Sequence, residues 1–88
     1  MDTTGWTYRT NTSGDNWAGD GEVVDATGRV VLRDGDEVTG PGNRDFLVSQ
    51  VWAEDGDLWV EGHYAGHRED DVANEVLRVS DLEALQVR

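Results

Sequence analysis

The stretch Arg33–Tyr64, RDGDEVTGPGNRDFLVSQVWAEDGDLWVEGHY, decides how this chain folds. Its second half holds two runs rich in valine and aromatic residues, 46–53 and 58–64, separated by Glu54-Asp55-Gly56-Asp57. Such residues suit a pleated, half-buried surface, and Asp and Gly supply the positive φ that a tight hairpin turn needs. The two runs therefore read as antiparallel strands. Two registers are open. A two-residue Asp55-Gly56 turn sets Trp52 opposite Trp59, whereas a three-residue loop closed by Gly56 sets Trp52 opposite Leu58. With unbroken alternation, the second gathers Phe46, Val48, Trp52, Leu58, Val60 and Tyr64 on one face, and the first leaves both faces mixed. A slip of one residue moves a strand's whole apolar set to the other side, so the second register is the expected one. It puts Trp59 on the wetter face beside Glu61 and His63, where an indole serves as an interaction anchor unless the N-terminal segment or a neighbouring strand covers it.

Working outward, Gly40-Pro41-Gly42-Asn43-Arg44-Asp45 is a loop by composition, since proline fixes one dihedral and the glycines free those around it. No helix follows it and the phosphate-loop spacing is missing, so it is read as a tight connection. Asp34-Gly35-Asp36 is a turn into a short strand at Glu37-Val38. Before it, 22–33 forms a second hairpin around Asp25-Ala26-Thr27-Gly28. Gly5 to Thr10 alternates like an edge strand with Trp6 and Tyr8 on one side, and Trp17 stands among Gly and Asp, expected under a loop. The alternative is an arm that folds onto a partner through Trp6, Tyr8 and Trp17. Residues 1–21 are accordingly set apart as a polar N-terminal arm or edge strand, and 22–88 as a single small β-barrel domain.

Downstream, 65–74 is a polar loop. His63 and His67 lie four apart, with Glu69, Asp70 and Asp71 close behind, residue types that ligate zinc. On a strand-to-loop path that spacing does not gather two imidazoles as a helix does, so no metal site is assigned. Glu75 to Val79 is the last strand. Ser80-Asp81-Leu82-Glu83 matches a capping box and predicts one or two helical turns, with Leu82 and Leu85 facing inward and Val87 closing the sheet.

Nineteen acidic residues against seven basic ones, none of them lysine, give a net charge of −12. That charge repels phosphate backbones and anionic membranes, so neither direct nucleic-acid binding nor a membrane is expected. It suits basic partners, cations or solubility in high salt, and the first reading is an acidic proteome in which arginine stands in for lysine. With no cysteine, disulfides and thiolate metal sites are excluded. No apolar leader or membrane-length stretch is present, which leads to a cytoplasmic expectation. Eighty-eight residues allow one domain with one modest core, in which four tryptophans supply much of the buried area. Twelve valines to six leucines favour strands. The fold class is all-β: a small antiparallel barrel or strongly bent sheet of five to seven short strands, with one short C-terminal helical turn.

The order Gly35-Asp36-Glu37-Val38, loop, long bent hairpin 46–64, last strand and Ser80-Asp81-Leu82 at a helical turn resembles the small Src-homology-three-like barrels, the KOW and Tudor-like groups included. The likeness covers about residues 34–85. It implies a binding module that presents an exposed sheet face and loops, here Trp59 and its neighbours with the 40–45 loop. The chain departs from the nucleic-acid-binding members in being acidic, and it lacks an aromatic cage for methylated lysine.

The functional expectation is a non-enzymatic protein-interaction module. Its contact residues are Trp59, Glu61, His63, Asn43 and Arg44, with Trp6, Tyr8 and Trp17 from the arm. Homo-oligomers are compatible with it, and no cofactor is called for. One alternative is an acidic nucleic-acid mimic that inhibits a DNA- or RNA-binding protein. Another is a small structural part of a virion or other particle. No catalytic residues are assigned: nucleophilic catalysis needs a base held beside a hydroxyl or thiol, and paired carboxylates need a cleft that so short a chain has little room to build.

Overall fold

The structure is a computed structural model that describes residues 1–10, 21–66 and 74–86. Trp17, His67, Glu69, Asp70, Asp71 and Val87 lie outside them. Seven antiparallel strands form two sheets: β1 (Thr7–Thr10), β2 (Gly21–Val24) and β3 (Val30–Arg33) in one, and β4 (Glu37–Gly40), β5 (Arg44–Glu54), β6 (Asp57–Tyr64) and β7 (Glu75–Arg78) in the other. The four-stranded sheet curls into a half-barrel. A 3-10 turn at Val79–Asp81 follows β7, and the chain then returns to β4 through a bridge between Thr39 and Ala84. Among the described residues, no helix is long and apolar enough to cross a membrane.

The core lies between the sheets. Val23 and Leu32 contribute from the first, Val38, Phe46, Val48, Val51 and Val60 from the second, and Val79 and Leu82 from the C-terminal turn; Trp6, Tyr8, Leu58, Tyr64, Leu77 and Leu85 pack around its margin. Apolar burial on this scale is the main stabilising contribution available to so small a domain. Gly62 allows the curl. A Cβ there would come within 1.9 Å of the Leu47 carbonyl oxygen, closer than two strands tolerate.

The Asp34-Gly35-Asp36 turn joins the two sheets. One Asp34 carboxylate oxygen accepts from the Gly21 amide at 3.1 Å and the other from the Val51 amide at 2.9 Å, so one side chain spans β2 and β5. The Gly35 amide donates to the Val48 carbonyl and the Val48 amide to the Asp36 carbonyl, both at 2.8 Å. Asp36 is only 3% exposed and accepts from the Arg33 amide at 3.0 Å. Glu22 is 5% exposed and meets Arg9 at 2.6 Å and Arg33 at 3.9 Å. Buried carboxylates are tolerable only when paired in this way. In the β2–β3 turn, the Thr27 hydroxyl and the Arg29 and Thr27 amides bond to Asp25 and hold its carboxyl below the usual range.

Two expectations need correction. The central hairpin adopts the two-residue turn: Trp52 lies opposite Trp59, Ala53 opposite Leu58 and Glu54 opposite Asp57. Asp55 and Gly56 have φ of 53° and 81°, the pair of positive values that a type I′ turn demands. The register shifts between Val48 and Gln50, so Ser49 forms a bulge, and a bulge reverses the alternation beyond it. Phe46, Val48 and Val51 all point inward, while Trp52, expected in the core, turns outward. The capping box is also absent. Ser80 sits inside the 3-10 turn, no side chain caps that turn, and Leu82 is extended. The Glu83 carboxylate accepts instead from the Asn43 amide. Leu82 is buried and Leu85 partly buried, both against the core as expected.

Candidate functional site

Strand alternation gives the outer face of the four-stranded sheet a definite order. At the hairpin end, Glu54 faces Asp57. The next rung is Trp52, Trp59 and Arg78, and the one after it Gln50, Glu61 and Val76. Beyond the bulge, Leu47 lies between Glu37 and His63. The sequence-predicted trio Trp59, Glu61 and His63 thus occupies one side of β6.

Trp59 is fixed rather than loosely displayed. Its indole Nε1 donates to the Glu54 carbonyl at 3.2 Å. The Arg78 guanidinium lies over its ring, 5.3 Å from the centroid, and Arg78 Nε is 3.9 Å from an Asp57 carboxylate oxygen. With both partners about half exposed, that ion pair is worth at most about 1 kcal/mol, and a solvent-exposed cation–π contact about as much. Their main effect is to orient the ring. Trp52 and Trp59 are both partly buried although they lie outside the core cluster. Opposite positions of an antiparallel pair bring Cβ atoms to about 5 Å, so Trp52 and Trp59 are cross-strand neighbours on this face. Val76, 51% exposed, lies one rung further along, opposite Glu61.

The other sequence candidates lie elsewhere. Asn43, with φ 60°, donates its amide to Glu83 in the β4–β5 turn. Arg44 stacks its guanidinium 4.0 Å from the centroid of Tyr64, whose ring meets Phe46 edge-on at 5.1 Å. Trp6 and Tyr8 pack against the core, on the side of the sheet opposite Trp59. Of the outer-face participants, Trp52 escapes a reading based on unbroken alternation, because the register shifts between Val48 and Gln50; Asp57 shares Trp59's side of β6 by alternation, and Arg78 is brought there by the pairing of β6 with β7. The signal for Trp52 was the polar pair Ser49-Gln50 inside an otherwise apolar run, where β5 bulges. Among the described residues, no three of His, Asp and Glu come together as metal ligands.

Compared with protein-family models, curated proteins and solved structures, the chain finds no match.

Proposed function

We propose that this protein is a non-enzymatic interaction module that docks a protein partner on the outer face of its four-stranded sheet. The observation that carries the reading is the rung Trp52–Trp59–Arg78: two indoles held outside the core, one of them oriented by a hydrogen bond and a guanidinium. Tryptophan and arginine are the residue types that most often dominate binding energy at interfaces. A net charge of −12 favours a basic partner and speeds encounter with it, while disfavouring phosphate backbones. The Src-homology-three-like resemblance fits this role. It is supported by the succession of β4 to β7, a 3-10 turn and a return to the edge of β4 at Ala84.

The test is capture from lysate of the source organism with the wild type and with Trp59→Ala, washed at low and then at high salt. An apolar anchor predicts a partner that survives high salt and is lost on Trp59→Ala, with circular dichroism and melting showing that the variant still folds. Unfolding of the variant would remove Trp59 from the surface. A partner retained equally by both proteins contradicts the reading. A nucleic-acid-binding protein released by salt and indifferent to Trp59 would point to phosphate mimicry instead, because exposed charge contacts are screened.

A further inference from the structure

Around Trp52 the outer face is unevenly charged. Its same-face neighbours are Gln50 and Glu54 on its own strand, Trp59 opposite, and Asp57 and Glu61 on the diagonals. Three of these five are carboxylates. Glu54 and Asp57 are exposed and stand directly opposite each other, with exposed Asp55 at the turn between them. Like charges on opposing positions destabilise a strand pair. Among the described residues, Arg78 is the arginine that the pairing places on this face. It sits over Trp59 and beside Asp57, on the same rung as Trp52 with Trp59 between them. The outer face therefore already displays a guanidinium from β7 on an indole next to a carboxylate, and the hairpin repeats the indole and the carboxylates at Trp52.

From this charge complementarity we infer that the hairpin face receives an arginine side chain of a basic partner segment, the guanidinium stacking on Trp52 and donating to Glu54 and Glu61. Arginine rather than lysine is specified because its planar fork both stacks on an aromatic face and donates to carboxylates. The inference rests on the interaction-module reading and names the chemistry of its partner.

The test is an NMR and calorimetric titration with a short arginine–valine peptide, its lysine analogue and its citrulline analogue, which keeps the shape and loses the charge. The arginine peptide is expected to shift the Trp52 and Trp59 indole resonances, the lysine peptide to bind several-fold more weakly, and the citrulline peptide at least tenfold more weakly. Trp52→Ala should weaken arginine binding at least tenfold. Glu54→Gln guards against a variant that merely fails to fold: it should weaken binding while raising the melting temperature, because it relieves the Glu54–Asp57 repulsion. Asp81→Asn, an exposed acid on the 3-10 turn, should leave binding unchanged. Equal binding of the arginine and lysine peptides, or equal loss on Asp81→Asn and Glu54→Gln, would mean unspecific attraction to an acidic protein and would overturn the inference. If the peptide does not bind but the partner captured from lysate still depends on Trp59, the inference falls and the module reading stands. If neither holds, both fall.

Discussion

At the scale of single residues, Asp34 shows what an acidic sequence does with its carboxylates. One side chain satisfies the amides of Gly21 and Val51, which belong to different sheets. Hydrogen bonds to a charged acceptor contribute more than neutral ones, and removing the acceptor leaves donors short of partners. Asp34→Ala should lower unfolding free energy by about 3 kcal/mol, read from urea denaturation, and Asp34→Asn, which keeps one acceptor oxygen, by roughly half that. A change under about 0.5 kcal/mol would mean that the carboxylate does not clamp the sheets. Nothing in the sequence distinguishes Asp34 from the other eighteen acids. Its partners are 13 and 17 residues away, and local composition reports only the turn in which it sits.

At the scale of elements, the hairpins were legible and the register of the central one was not. Phe46 to Tyr64 reads as two strands because valine and aromatic residues flank Asp-Gly, and β5 and β6 occupy those positions. The register failed at Ser49. Alternation counted straight through the strand sends Val51 outward and Trp52 inward, whereas one unpaired residue reverses both. The turn offers a direct check, because Asp55 sits in the left-handed region with φ 53°. Aspartate tolerates that conformation and β-branched residues do not. Asp55→Val should destabilise by about 1–2 kcal/mol, measured by thermal or chemical denaturation. A neutral outcome would mean that the turn is not type I′. The capping box misled for a different reason. Ser80 and Glu83 have the right spacing, but β7 runs to Arg78 and the chain must return to Thr39. Tertiary pairing overrides the local propensity, and Glu83 serves the β4–β5 turn instead.

For the whole molecule, the fold divides its aromatic residues between two jobs. Phe46, Tyr64, Trp6 and Tyr8 bind the sheets together from inside, while Trp52 and Trp59 stand outside the core. The acidic excess was plain in the composition, but its placement around two indoles became visible only once the register was known. The proposed surface therefore stands or falls with that register, which is most directly measured by cross-strand nuclear Overhauser effects in the 46–64 hairpin. Contacts from Trp52 to Trp59 and from Val51 to Val60, with Ser49 unpaired, are the predicted result. Contacts from Trp52 to Leu58 with unbroken pairing through Ser49 would return Trp52 to the core, dissolve the paired-indole surface and contradict the assignment of this face to partner binding.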